Sequence, residues 1–383
     1  MAAPASTTAP ATKVIREVFA LGRSPFKTFD PFLFCMYHND TYPASTKDTL
    51  GPDPKLLRSR DIGSDFSYEG GWSMYHGTTV PGFPAHPHRG FETITVTRTG
   101  LVDHSDSVKC TARYGEGDTQ WLTAGGGIQH AEMFPLLHPD RPNTLQLFQV
   151  WLNLPRKSKM CTPYFSMFWK EETPMAELPT LPLRAGAATP AEKAMSKVIA
   201  GELEGVTPLP PPPDSWAAAP DSDVAVWTVD IPANAAVTLP AARGGASSTR
   251  AVYFVKGGQL EIGGGEAVVA PMNGARVAAE VPLVLGAVDE PAEVLVLQGR
   301  PIGEPVVKHG PFVMNTREEI MQCFADYRRT EFGGWPWESG DHAHPRDMPR
   351  HAVHMGGRKE FPPNKAEESA KQQPPPQPKK PQE

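Results

Sequence analysis

His86-Pro87-His88-Arg89-Gly90-Phe91-Glu92-Thr93 and Thr123-Ala124-Gly125-Gly126-Gly127-Ile128-Gln129-His130-Ala131-Glu132-Met133 are two clusters of nitrogen and oxygen donors, separated by strand-like sequence. In an extended chain successive side chains alternate faces, so His86 and His88 point one way together, and so do His130 and Glu132. Two such pairs converge on one ion if their strands face each other across a sandwich or barrel. Three imidazoles and one carboxylate suit Fe(II), Mn(II), Ni(II), Cu(II) or Zn(II) better than Ca(II). The glycine run Gly125 to Gly127 predicts a tight turn just before His130, because glycine alone takes positive φ or a close backbone approach without steric cost.

The flanking sequence predicts short strands. In Phe91 to Arg98, Phe91, Thr93 and Thr95 share one face, and Glu92, Ile94 and Val96 the other. Leu145 to Leu154 (LQLFQVWLNL) alternates strongly and Pro155 closes it. Phe66 to Tyr75 also reads as strand-like, and Leu50 to Ser64 as a long surface loop. Ser196 to Ala200, Val224 to Val229, Ala251 to Val255, Gln259 to Ile262, Ala267 to Ala270 and Val294 to Leu297 form a second β-rich region. It is interrupted by a polyproline-like insertion at Leu209 to Pro213. Gly and Pro punctuation at this spacing indicates an all-β chain of jelly-roll sandwiches or barrels. Arg317 to Arg328 carries apolar residues near helical spacing behind the candidate N-caps Asn315 and Thr316, which predicts a short helix packed back on the fold.

A chain of 383 residues is too long for one typical core and predicts two domains with appendages. A net charge of -6 argues against a general electrostatic grip on nucleic acid or on anionic membrane. Cys35, Cys110, Cys161 and Cys323 are widely spaced and read as reduced thiols, which points to a cytoplasmic location, with a nuclear one compatible. No apolar run of membrane-spanning length occurs, and residues 1–12 lack the form of a secretory signal.

HPHRGFETI (86–94) and GDTQWLTAGGGIQHAEM (117–133) closely resemble the two metal-binding motifs of the pirin family, a branch of the bicupins, and GEPVVKHGPFVMNTREEIMQCFADY (303–327) resembles its C-terminal segment. The resemblance spans about residues 13 to 334. It implies two tandem cupin domains in the order 1–12 disordered tail, 13–170 metal-binding cupin, 171–195 linker, 196–334 cupin without metal ligands plus the short helix, and 335–383 disordered tail. It also implies one mononuclear iron, Fe(II)/Fe(III), with Mn, Ni, Cu or Zn as alternatives, held by His86, His88, His130 and Glu132. Two functions follow from it. One is a quercetin 2,3-dioxygenase-like oxidoreductase that opens a flavonol with dioxygen, with Glu132 as both ligand and catalytic base. The other is a redox-responsive co-regulator that contacts a transcription-factor protein through the same metal. A monomer without direct nucleic-acid or membrane contact is expected.

Other residues carry weaker expectations. Glu92 reads as structural or as support for the metal ligands, and His104 as a polar loop residue or part of a pocket mouth. One of Gln120 and Trp121 reaches the cavity while the other packs. His342, His344, His351 and His354 form a histidine cluster in a tail with no fold to preorganise it. Cys110, beside Lys109, and Cys161 are candidate redox thiols, with inert burial the commoner case, and PRKSK (155–159) reads as a solvated turn or a docking patch.

Overall fold

The computed structural model describes residues 13–22, 25–186, 188 and 190–363. It is nearly all β, with one α-helix among the described residues. The first half is a sandwich. Its five-stranded sheet runs in the order Tyr164–Phe168, Thr119–Thr123, Phe91–Thr99, Asn143–Asn153, Phe32–Tyr42. The facing six-stranded sheet runs Lys359–Glu360, His351–Val353, Thr111–Gly115, Leu101–Asp106, Ile128–Met133, Gly82–His88. Leu122, Leu147 and Phe165 from one sheet meet Val102, Tyr114 and Ile128 from the other in its core.

The second half repeats the plan. A seven-stranded sheet of Ile15–Ala20, Asn273–Val277, Thr249–Lys256, Ala292–Gly299, Ala225–Ile231, Ala194–Ala200 and Met175–Leu178 covers a five-stranded sheet of Thr180–Pro182, Ala235–Leu239, Leu283–Val288, Gln259–Ile262 and Ala267–Val269. The two sandwiches meet sheet on sheet. Ile94, Val96, Trp121, Phe148 and Val150 pack there against Val226, Tyr253, Leu295 and Leu297. A sheet buried on both faces loses the polar side of its alternation, which is why the Phe91–Thr99 strand is buried from Phe91 through Thr97. Its two faces still differ as expected: Ile94 and Val96 face the second sandwich, whereas Thr95 faces the interior of the first.

Several boundaries differ from the expected ones. The Ile15–Ala20 strand, expected in the first domain, pairs with Asn273–Val277 of the second, since strand pairing is nonlocal and no local pattern names the partner. The expected linker 171–195 contains Met175–Leu178 and Thr180–Pro182, which pair with Ala194–Ala200 and Ala235–Leu239. Phe66 to Tyr75 is a loop rather than a strand. Asp65 accepts hydrogen bonds from the Ser67 and Met74 amides, and a left-handed turn at Gly70 and Gly71 breaks the extended run.

The largest departure is the C-terminus. Residues 335–363, expected to be a disordered tail, form a strap over the first sandwich, with His351–Val353 paired to Thr111–Gly115. Side chains of the sandwich hold it: Arg113 donates to the carbonyls of His344, Pro345 and Met348, and the strap's own Arg346 donates to those of Leu136, Leu137, Thr46 and Thr49. Residues 1–12 and 364–383, the rest of the expected tails, lie outside the described residues. The helix is Arg317–Thr330, with Thr316 as N-cap in a reciprocal capping box with Glu319. Among the described residues no helix is long and apolar enough to cross a membrane.

Candidate metal centre

The two histidine motifs lie on neighbouring strands of one sheet, not across the sandwich. Gly82–His88 pairs antiparallel with Ile128–Met133, and His86 sits opposite His130 in register. An irregularity between Phe83 and His86 adjusts the register so that both motifs turn their histidines inward. The ligating atoms of His86, His88 and His130 lie within 4.8 Å of one another. Their ring centroids are 4.8 Å (86 to 88), 4.5 Å (86 to 130) and 4.9 Å (88 to 130) apart.

The hydrogen-bond inventory fits a cation at their focus. Both ring nitrogens of His130 and Nδ1 of His88 are buried without a protein partner, an expensive state unless a ligand supplies one. Nδ1 of His86 lies 2.8 Å from the Pro84 carbonyl; as donor to that oxygen it leaves Nε2 with its lone pair free. Burial lowers the pKa of His86 to about 4 and holds those of His88 and His130 well below the usual imidazole range, which favours the neutral bases a cation needs.

Glu132 is adjacent. Its Oε2 is 3.8 Å from His130 Nε2, and it reaches across the sandwich to the opposite sheet. There Thr95 Oγ1 donates to Oε1 at 3.1 Å and Gln149 Nε2 donates to Oε2 at 3.2 Å. Thr95 and Gln149 are themselves cross-strand partners. Burial raises the Glu132 pKa, a cost that a cation beside it would reverse.

The outward-facing residues of the same motifs do a second job. Arg89 donates to Asp326 on the helix at 2.9 Å and to the Gly126 carbonyl at 2.7 Å. Gln129 accepts from the Tyr327 hydroxyl at 3.0 Å and donates to the Glu331 carbonyl at 2.7 Å. The C-terminal segment is thus clamped to the backs of both histidine strands. The expected glycine turn is present: Gly127 has φ +130°, and a Cβ there would fall 2.7 Å from the Phe332 ring.

His86 and His88 open into a cavity of about 730 Å³, with His130 fully buried behind them, and its walls include Phe34, Met36, Phe66, Phe83, Phe134 and Trp151. Besides His86 and His88, its polar lining includes His38, His76, Thr95, Glu132 and Gln149. His38, Thr95, Gln149 and Trp151 were missed by the sequence reading. The signal was present in LQLFQVWLNL, where Gln149 and Trp151 share a face with Leu147 and all three line the cavity.

The remaining candidates settle as follows. His104 is neither in a loop nor at a pocket mouth. It lies fully buried on Leu101–Asp106, opposite Glu132 in register, with Nε2 3.1 Å from Asp106 Oδ2 and its ring 5.5 Å from that of His130. Trp121 packs between the sandwiches, and Gln120 turns inward toward the Tyr114 hydroxyl rather than lining the cavity. Glu92 is fully buried and accepts from Thr123 at 2.7 Å and Ser215 at 2.5 Å, a tie between the two halves. Lys159 is not solvated: its ammonium donates to the Gly90 carbonyl, Asn153 Oδ1 and the Val313 carbonyl, holding the turn after His88. Burial pushes the Cys110 and Cys161 thiols up to about 12, the opposite of a reactive thiolate. In the strap, His344 meets His342 and His351 edge to face, yet the group of metal-ligating atoms found among the described residues is His86, His88 and His130.

Comparison with known proteins agrees with this architecture. The Pirin profile matches residues 14–152 and the Pirin C-terminal cupin domain profile residues 226–333. A pirin-like protein of Caulobacter vibrioides is 34% identical over 252 residues, covering 66% of this chain and 80% of the relative. Pirin of Mus musculus is 31% identical over 269 residues, covering 68% of this chain and 80% of the relative. The crystal structure of a quercetin 2,3-dioxygenase from Acinetobacter baumannii matches with a TM-score of 0.58 at 25% identity, covering 84% of this chain and 96% of that one. With both cupin halves matched and the two histidine motifs side by side on one sheet, this chain belongs to the pirin family.

Proposed function

We propose that the chain is a mononuclear metal protein acting as an oxygenase of the quercetin 2,3-dioxygenase type, with the ion held by His86, His88, His130 and Glu132. The observation that carries this reading is the set of three neutral imidazoles, with buried, unpartnered nitrogens on His88 and His130, at the end of an aromatic-walled cavity. The mixed nitrogen and oxygen donor set suits iron, with Mn, Ni, Cu and Zn compatible. Bound there, the ion would supply Lewis acidity and a redox partner for dioxygen.

The rest of the work falls to the chain. Phe34, Phe83 and Trp151 give the cavity aromatic walls suited to a flat flavonol-like substrate. Glu132, oriented by Thr95 and Gln149, is placed to take the proton of the substrate hydroxyl that approaches the histidines. The likeness to the Acinetobacter quercetin 2,3-dioxygenase supports this substrate class. The test is quercetin absorbance with the iron-loaded protein, with and without oxygen. Oxygen-dependent loss supports the enzyme. Retained metal without turnover contradicts it and leaves the redox-responsive protein-contact role.

A further inference from the structure

A second cavity, about 820 Å³, lies in the C-terminal sandwich, away from the histidines. Its walls include Pro208, Pro211 and Ala217 from the proline-rich insertion, and Trp227 and Arg250 from the seven-stranded sheet. The insertion falls between the two segments matched by the family profiles, 14–152 and 226–333, whereas Trp227 and Arg250 lie inside the second of them.

Arg250 is the unusual feature. It shares a strand face with Val252 and Phe254, which pack in the sandwich core, and it is 0% exposed. Its Nε and Nη2 both donate to Gln298 Oε1, the former at 2.7 Å. Nη1 is buried with no partner. No carboxylate among the described residues forms an ion pair with it. Asp223, whose charge reaches it, makes no ion pair with it and accepts through Oδ2 from the Gly244 amide at 3.0 Å and the Ser248 hydroxyl at 2.5 Å. The Gln298 amide nitrogen is also occupied, by the Asp223 carbonyl at 3.2 Å. Burial lowers the guanidinium only to about 10, so it stays charged at neutral pH. A buried, charged and half-paired guanidinium is costly, and an incoming anion recovers that cost.

We propose that the C-terminal cupin holds a second ligand site, a pocket for a small monocarboxylate with an apolar body, whose carboxylate pairs with Arg250. The class follows from the lining. The small apolar wall of Pro208, Pro211, Ala217 and Trp227 accepts a hydrocarbon body. Beyond Arg250 the cavity carries the acids Glu202, Glu204, Asp221 and Asp223 against the cations Arg243 and Arg300, with Arg243 already paired to Glu202, so the remaining field is negative and disfavours the second charge of phosphate or a polycarboxylate.

The experiment titrates the intact protein with benzoate and, separately, with inorganic phosphate, reading thermal unfolding and heat of binding. Benzoate at saturation is expected to raise Tm by about 3 °C or more, with phosphate giving no such shift. Arg250→Met is expected to abolish the benzoate response while leaving the unliganded Tm unchanged or higher, because it removes an uncompensated buried charge. If that variant fails to fold, Arg250→Lys is expected to bind benzoate about tenfold more weakly. Absence of a benzoate response in the wild type, an undiminished response in either variant, or a phosphate response equal to that of benzoate would overturn the proposal.

Discussion

Asp103 and Arg113 face each other across adjacent strands as a fully buried bidentate ion pair, at 2.7 and 2.8 Å, and the same guanidinium holds the C-terminal strap. Arg113→Met removes the clamp and strands the Asp103 charge, a loss of about 3–5 kcal/mol in folding stability. Thermal unfolding and limited proteolysis check it, with new cleavage expected within residues 335–363. The double variant Asp103→Asn/Arg113→Met is expected to recover part of the loss, since no buried charge remains.

Gly90 follows His88 in the left-handed region at φ +86°, and a Cβ there would lie 2.0 Å from the Val313 carbonyl oxygen. Gly90→Ala therefore pushes the hairpin formed by Val307–His309 and Phe312–Met314 away from the histidine strand. The expected cost is at least about 2 kcal/mol, with metal affinity falling about tenfold or more as His88 shifts. Calorimetry and metal titration measure the two effects, and an unperturbed variant would refute the packing described here.

Glu92 gives a pH signature. Burial raises its pKa to about 7, with the Ser215 and Thr123 hydrogen bonds opposing but not cancelling that. A carboxyl that binds its proton more tightly when folded makes stability fall as pH rises from its unfolded value, near 4.5, through 7. Glu92→Gln stays neutral throughout, so it is expected to be more stable than wild type by roughly 1–3 kcal/mol at pH 8 and nearly equal at pH 4. Urea unfolding across that window decides it; equal pH slopes for the two proteins would contradict the assignment.

Glu132→Gln separates two roles. If the carboxylate acts as base, turnover of quercetin should drop by roughly 10²–10⁴-fold even in preparations matched for bound metal. Full turnover with metal retained would remove Glu132 from the chemistry. Gln149→Leu, which takes away one of the groups orienting that carboxylate, should produce a smaller loss of the same kind.

The convergence of the candidate ligands was largely legible because its information is local. His86, His88, His130 and Glu132 obey a two-residue period, and that period carries through to three histidines meeting within 4.8 Å and a carboxylate beside them. What failed depends on contacts distant in sequence. The strap from 335 to 363 is rich in Pro, His and charge and looks unable to fold. It is ordered by Arg113 and Arg346 bonding to backbone carbonyls, a form of stabilisation that no hydrophobic pattern records. His104 looked like a loop residue because LVDHSD is polar, yet its strand buries those polar groups in pairs, with Asp103 on Arg113 and Asp106 beside His104. Ile15–Ala20 falls in the stretch expected to belong to the first cupin, and its crossing to the second sandwich follows from register with Asn273–Val277 alone.

Metal stoichiometry tests the central claim most directly. The apo-protein, titrated anaerobically with Fe(II) and desalted, is expected to retain one ion per chain by elemental analysis. His130→Ala, in a folded protein by circular dichroism, should retain almost none, whereas His351→Ala in the strap should match wild type. Absence of stoichiometric iron in the wild type, or its undiminished retention in His130→Ala, would contradict the account.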